Sequence, residues 1–252
     1  MKTAMIFAAG LGTRLRPLTE HLPKALVRVG DSPLLGIVLR RLVSFGYDRI
    51  VVNVHHFAGL IEEYLDTLDI PGVEILVSDE RDLLRDTGGG ILHAEPLLGG
   101  DRFLVHNVDI LSDLDLDWLE AQVRTDAVAT LAVSDRKTSR YLLFNDDMRL
   151  AGWTDISTGE VRTPFGSLDV SACRKYAFSG IHILSHDVFS LFRRINFGER
   201  FPIMDFYLDI AAEYPVYGAV PDSLELVDVG KPETLAKAGD YLRCHPEYGM
   251  KV

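Results

Sequence analysis

The stretch "MIFAAGLGTRLRPLTEHLPKALVRVG", residues 5–30, joins an apolar run to a glycine-broken turn and then to a series of cations. The apolar run starts at Thr3 and shows no polar alternation, so it reads as a parallel strand covered on both faces. Gly10 and Gly12 then bare the backbone, which lets amide N–H groups approach an anion closely. Arg14 adds a planar guanidinium suited to phosphate, and Lys24, after Pro23, adds a second cation. The turn is not a dinucleotide fingerprint, because Leu15 stands where a third glycine is required, and it lacks the Lys-Ser/Thr of a P-loop. By themselves the glycines suit a plain strand-to-helix turn equally well; the two cations beyond them point to a phosphate.

The 252-residue chain is 47% hydrophobic and 25% charged, an ordinary globular composition for one large α/β domain or two small ones. With 26 Lys plus Arg against 37 Asp plus Glu, its net charge is −11. No broad basic field can form on such a chain, which argues against nucleic acid or an anionic membrane as a partner. Any phosphate ligand must be held by a few placed cations. Cys173 and Cys244 fit neither a metal spacing nor a disulfide framework, as expected in a reducing cytoplasm. "MKTAMIFAAG" is too short in its apolar part for a signal peptide, and no apolar run approaches a membrane span, so a soluble cytoplasmic protein is expected.

Strand and helix patterns alternate as far as about residue 126. "PLLGIVLRRLVSFG" places Leu35, Val38, Leu39, Leu42 and Val43 at helical spacing, and "FAGLIEEYLDTL" does the same with Phe57, Leu60, Ile61, Tyr64, Leu65 and Leu68. "RIVVNV", "VEILVS" and "RFLVHNVD" read as strands, and a helix is expected through "GGILHAEPLL". Alternation of this kind predicts a Rossmann-like α/β fold, a mostly parallel twisted sheet flanked by helices, with ligands at the carboxyl ends of its strands. From about residue 127 the pattern changes to turn-separated strands ("AVATLAVS", "RYLLFN", "RLAGWTD", "KYAFSGIHIL"), with helices at "HDVFSLFRRI", "IMDFYLDIAAEY" and "PETLAKAGDYLR". One domain over 1–252 is expected, with a nucleotide-type half (about 1–126) and a smaller mixed-sheet half with a closing helix (about 127–252) completing the cleft.

"AAGLGTRLRPLTEHLPKALVRVGDSPLL" resembles the signature of the sugar-1-phosphate nucleotidyltransferases, and the likeness extends to the closing "DVGKPETLAKAGDYL". The resemblance implies the nucleotide-diphospho-sugar transferase fold and a nucleoside triphosphate and a sugar 1-phosphate as substrates. It implies that residues 9–13 (Ala9, Gly10, Leu11, Gly12, Thr13) cradle the triphosphate, that Arg14 holds its β/γ end, and that Lys24 holds the reacting phosphates. "HNVD" and "DVGKPE" resemble the family's N-G-D and D-I-G-T-P-E motifs, whose aspartates, here Asp109 and Asp228, hold Mg²⁺. Hard carboxylate oxygens suit that ion, although each aspartate would also serve as an ordinary turn or helix cap. Val108 and Lys231 depart from the family's usual Gly and Thr. "RDTGGGI" resembles the base-binding loop, with Gly88 and Gly89 contacting the base, and is most like that of bacterial N-acetylmuramate-1-phosphate uridylyltransferases, with mannose-1-phosphate guanylyltransferases close behind.

By the same resemblance Ser179 and Gly180 face the acceptor sugar, while Asn107 bonds ribose or sugar. His55 and His56 are read as scaffold. The expected reaction makes a nucleoside-diphosphate sugar and pyrophosphate, most simply from UTP and N-acetylmuramate 1-phosphate. GTP with mannose or heptose 1-phosphate remains open, as does a cytidylyltransferase for a non-sugar phosphate such as phosphocholine, with Tyr176 and Phe178 able to box a quaternary ammonium. A non-catalytic nucleotide sensor would need neither both carboxylates nor both cations. An oligomer is compatible with the sequence.

Overall fold

In the computed structural model, which describes residues 1–245 and 248, the opening apolar run forms β1 (Thr3–Phe7), buried except at Phe7. A small hairpin, β2 (Arg28–Val29) and β3 (Ser32–Pro33), follows the glycine turn and leads into α1 (Leu34–Ser44). Then come β4 (Arg49–Val54), α2 (Ala58–Asp66), β5 (Glu74–Asp79), α3 (Asp86–His93) and β6 (Arg102–Asn107). β7 (Ile110–Ser112), α4 (Leu116–Ala121), β8 (Ala129–Ser134), β9 (Arg140–Phe144), β10 (Leu150–Asp155) and β11 (Glu160–Arg162) precede the long strand β12 (Arg174–Ser185). The chain continues with α5 (Val188–Ile195), α6 (Ile203–Ile210), β13 (Val216–Ala219), β14 (Leu226–Asp228) and α7 (Pro232–Cys244). Among the described residues no helix is long and apolar enough to cross a membrane.

β1 lies between β4 and β6 in parallel, and β5 extends β4, so the first half of the chain forms a parallel core. Both faces of these strands are covered, which explains why they lack polar alternation. Ile6, Val52 and Leu104 face α1 and α2 in one apolar cluster, while Met5, Val51 and Val105 face Ile91, Phe189 and Phe206 in another. The helical spacing read in α1 is realised: Leu35, Val38, Leu39 and Leu42 are all buried, and Gly46, at φ 76°, turns the chain out of the helix.

The second half joins the same sheet through β12. Its residues Ile181–Ser185 pair antiparallel with β6, whereas Arg174–Tyr176 pair with β9, which carries β10 and β11 as an outer meander. β8 pairs with β12 and with β13. The change of partner coincides with a register shift between Phe178 and His182, where Gly180 adopts φ 78° and lets the strand bend. The result is a mixed sheet whose nucleotide half is parallel.

Three features differ from the sequence reading. The helix expected through "GGILHAEPLL" ends at His93 and gives way to a single tight turn at Glu95–Leu97, because Pro96 has no N–H to continue the ladder. The helix α4 was not anticipated; its signal is Asp115, whose carboxylate accepts from the Asp117 (2.9 Å) and Trp118 (3.0 Å) amides. β13 is only four residues long and is stabilised by pairing with β8 rather than by its own pattern.

Two histidines are sealed in the sheet. His106 Nδ1 meets the Asn107 carbonyl at 2.8 Å and His182 Nδ1 meets the Tyr207 hydroxyl at 3.2 Å, while both Nε2 atoms are buried with no partner among the described residues. Burial lowers their pKa values from 6.5 to about 4 and about 3 respectively. Below the ordinary value of 6.5 the unfolded chain therefore binds protons that the folded chain refuses. Stability is complete above that value and falls with acidification, by up to about 1.4 kcal/mol per pH unit for each histidine. Urea unfolding between about pH 7 and pH 5 should show this slope, and His182→Gln should flatten it.

Candidate functional site

The parallel register sets the site. Phe7 pairs with Asn53 on one side and Asn107 on the other, so β1, β4 and β6 end together at one sheet edge. A cavity of about 560 Å³ opens there. Its walls include the turn after β1, Leu84, Asp86 and Thr87 around the start of α3, Asn107 to Asp109 at and just beyond the end of β6, and Lys24.

The glycines of the turn have different roles. Gly12 sits at φ 61°, and a Cβ there would lie 3.0 Å from Lys24 Cβ and 3.1 Å from Thr19 Cγ2. Its carbonyl accepts from Thr19 Oγ1 at 2.8 Å, which clamps the turn onto the Lys24 segment. Gly10 has nothing within 4 Å of its missing Cβ, so it forms open floor. The Ala8 and Ala9 amides both donate to Asn53 Oδ1, at 2.7 and 3.3 Å. Ala9 was expected to offer its backbone to the nucleotide; its N–H is already taken. Among the described residues the amides of Gly10, Leu11, Gly12, Thr13 and Arg14 have no acceptor, and all five residues line the cavity. These donors are left for an anion.

The charged groups expected at the site do converge. Lys24 Nζ is salt-bridged to Asp109 Oδ2. Asp228 reaches the same place because β14 pairs with β7, opposing Asp228 to Ile110, and because the Val229 amide donates to the Asp109 carbonyl at 2.8 Å. Loss of surrounding solvent and the neighbouring Asp109 charge raise the Asp228 carboxyl pKa, against the pull of Lys24, Arg14 and Arg136, although the residue keeps an exposed face. The Arg14 guanidinium is exposed and lies over Gly230, where a Cβ would meet Arg14 Nη2 at 3.2 Å and Asp228 Oδ1 at 2.7 Å. Among the described residues no group of three or more His, Cys, Asp or Glu side chains could hold a metal alone. Two carboxylates alone could supply only part of the ligand set of a hard cation, the rest coming from oxygens elsewhere.

Other expected residues are placed differently. Gly88 and Gly89 do not present free amides to a base: both donate to the Phe201 carbonyl, at 2.8 and 3.2 Å. A Cβ at Gly88 would fall 2.2 Å from Phe201 Cε2, and one at Gly89 2.2 Å from the Glu199 carbonyl oxygen. Packing alone therefore requires glycine at both positions. The cavity wall there is Leu84, Asp86 and Thr87 instead. Ser179 is buried and its hydroxyl donates to the Ala132 carbonyl at 2.6 Å, so it is spent on β8. Gly180 approaches the Asn107 amide closely, since a Cβ would lie 2.8 Å from Asn107 Nδ2. Asn107 lines the cavity. Tyr176 and Phe178 pack on Phe144 and His182, with centroids 6.3 and 5.3 Å apart, and so do not form an aromatic box. His55 Nδ1 sits 2.6 Å from the Glu80 carbonyl, a scaffold contact. Lys231 is exposed and its amide donates to Thr234 Oγ1 (3.2 Å) at the start of α7. Val108 is buried and contributes to the cavity wall.

Sequence reasoning missed Asn53, Glu80 and Arg136. Asn53 had a signal, a lone amide within the apolar strand "RIVVNV". Arg136 donates to the Phe178 carbonyl at 3.0 Å and acts on Asp228, a contact between distant strands that no local pattern carries.

Comparison with known proteins places the chain in a family. The nucleotidyl transferase family model matches residues 3–163. The chain is 35% identical over 239 residues to an N-acetylmuramate alpha-1-phosphate uridylyltransferase of Caulobacter vibrioides, covering 92% of this chain and 93% of that protein. It is 46% identical over 112 residues to the protein of the same name in Neisseria meningitidis, covering 44% of this chain and 48% of that one. Among solved structures, UDP-glucose pyrophosphorylase from Acinetobacter baumanii shares the fold, with a TM-score of 0.79 at 20% identity over 99% of this chain and 96% of that one. A family model matching more than half of the chain, and a relative aligned with nearly all of it, place this protein in the nucleotidyl transferase family.

Proposed function

We propose that this nucleotidyltransferase joins UTP to N-acetylmuramate 1-phosphate, giving the UDP-sugar and pyrophosphate. The observation that carries the reaction class is the set of unspent amides from Gly10 to Arg14, facing one cavity with Lys24, Asp109 and the neighbouring Asp228. The choice of substrates is supported by the relative aligned over 92% of the chain.

A phosphate oxygen of the sugar 1-phosphate attacks the α-phosphorus of the triphosphate in line. The bond from that phosphorus to the bridging oxygen breaks, and its electron pair leaves with pyrophosphate. No proton has to move and no enzyme side chain is modified, so rate comes from positioning and from neutralising charge. The free amides of the turn and Arg14 bind the departing pyrophosphate. Lys24, now paired with Asp109, draws the two reacting phosphates together. Asn107 and Gly180 bound the acceptor side. Asp109 and Asp228 would hold Mg²⁺, which would supply positive charge to the phosphate oxygens and offset the repulsion between the two carboxylates. The reaction draws on cytoplasmic nucleoside triphosphates, and both cysteines are free, as suits that compartment.

Pyrophosphate release should require one pairing from a matrix of UTP, GTP, CTP, ATP and dTTP against N-acetylmuramate, mannose, glucose and heptose 1-phosphates and phosphocholine. UTP with N-acetylmuramate 1-phosphate is the expected pair; GTP with heptose 1-phosphate would instead align the chain with its 25%-identical Campylobacter jejuni relative, named as a heptose 1-phosphate guanylyltransferase. Chelation with EDTA should abolish release and added Mg²⁺ should restore it. Arg14→Ala and Asp109→Ala should each lower kcat by about 10²–10³, and near-normal rates in both would remove the assignment. Ser179→Ala should cost about 1 kcal/mol of stability and leave the KM for the sugar phosphate unchanged.

A further inference from the structure

The buried pair Asn53 and Glu80 has a bonding pattern with no slack. Asn53 Oδ1 accepts from the Ala8 and Ala9 amides at 2.7 and 3.3 Å, which forces its Nδ2 to point the other way, where it donates to Glu80 Oε1 at 2.7 Å. Glu80 Oε2 accepts from the Arg85 amide at 3.2 Å, immediately before α3. Glu80 is fully buried, and its own amide donates to the Val54 carbonyl at 2.8 Å. One chain of hydrogen bonds thus runs from the turn after β1, through the ends of β4 and β5, to the first residues of α3. Both side chains line the cavity. The third glycine of the Gly88–Gly90 run belongs to this chain too: a Cβ at Gly90 would lie 2.8 Å from Glu80 Oε1 and 3.2 Å from Asn53 Nδ2. A carboxylate and an amide buried together at the floor of a cleft are costly unless every partner is in place. Apolar residues would brace two strands more cheaply.

We infer that Asn53 and Glu80 are positioning residues: they hold the phosphate-binding turn and the α3 wall at one fixed separation, matched to a nucleoside triphosphate lying between them. The inference rests on the proposed function for its ligand. Neither residue has to touch the reacting atoms. Asn53 orients the turn whose next five amides receive phosphate, and Glu80, through the Arg85 amide, orients Asp86 and Thr87, which line the cavity where the nucleoside would lie. A change in either partner shifts both walls, and misplacement on the scale of an ångström lowers transfer rates steeply.

The polarity of the pair provides the test. In Glu80→Gln the new amide must replace one carboxylate oxygen, so it meets either Asn53 Nδ2 or the Arg85 N–H, donor against donor. In Asn53→Asp the new carboxylate keeps the Ala8 and Ala9 amides but faces Glu80, acceptor against acceptor. The double variant N53D/E80Q reverses the central hydrogen bond and satisfies every group again. Each single variant should lower kcat/KM for the triphosphate at least about tenfold, measured well below its unfolding temperature, with little change in KM for the sugar phosphate. The double variant should recover to within about threefold of wild type. Losses that multiply in the double variant, or folded single variants with wild-type kinetics, would overturn the inference. Should a single variant not fold, the double variant decides alone: folded with recovered kinetics supports the clamp, and folded without recovery refutes it. Should the double variant also fail to fold, amide exchange of wild-type protein with Mg²⁺ and pyrophosphate decides. Slowed exchange at Arg85–Gly89 together with 8–14 supports the clamp, and slowing confined to 8–14 refutes it. A wild-type protein that releases no pyrophosphate with any acceptor would defeat the functional reading, yet calorimetric UTP binding by the same four proteins would still judge the clamp by the same recovery.

Discussion

The in-register parallel pairing of β1 with β4 and β6 is the constraint on which the site depends. Parallel hydrogen bonding fixes which residues stand side by side, and here it aligns Asn53, Phe7 and Asn107 at one edge. A one-residue slip would exchange the two faces of a strand, and the register is held because each face packs into its own apolar cluster, Ile6, Val52 and Leu104 in one and Met5, Val51 and Val105 in the other. Once the register holds, the turn after Phe7 has a fixed neighbour on each side: Asn53 beneath its first amides and the Asn107–Asp109 segment beside its cations.

Electrostatics then divides the cavity. The acidic protein as a whole repels polyanions, and the site answers with local groups alone: unspent amides, Arg14 and Lys24. Asp109 lines this cavity and is salt-bridged to Lys24, and Asp228 stands beside it within the field of Lys24, Arg14 and Arg136. Two carboxylates of this kind oppose each other, and loss of surrounding solvent together with the Asp109 charge raises the Asp228 pKa. Cations and anions interleaved at this spacing are suited to bringing two phosphate-bearing molecules together, because each reactant meets opposite charge on the side where it would otherwise meet the other's.

The second half of the chain completes the cleft by a bend rather than by a separate sheet. β12 leaves β6 and takes β9 as its neighbour near Gly180, where a positive φ and a shifted register coincide. That bend presents Gly180 to Asn107 while turning Ser179 inward to the Ala132 carbonyl. Adjacent residues on a strand face opposite ways, so the expectation that both would meet an acceptor was self-limiting.

The glycine turn, its cations, the buried strands and the amphipathic helices were legible in the sequence because each is a local pattern: a backbone without Cβ, a charge at a given spacing, an apolar periodicity. Asp109 and Asp228 were legible as chemistry through the family resemblance, but only the β7–β14 pairing brings them to one place. Where a backbone amide is spent could not be read at all. The Ala9 N–H goes to Asn53, and the Gly88 and Gly89 N–H groups go to Phe201, each a partner remote in sequence. Residue types and spacing therefore determined which groups the protein owns and the chemistry they can support. The tertiary structure alone decided which of those groups remain free, because a hydrogen bond made across the fold removes a donor that the sequence still displays.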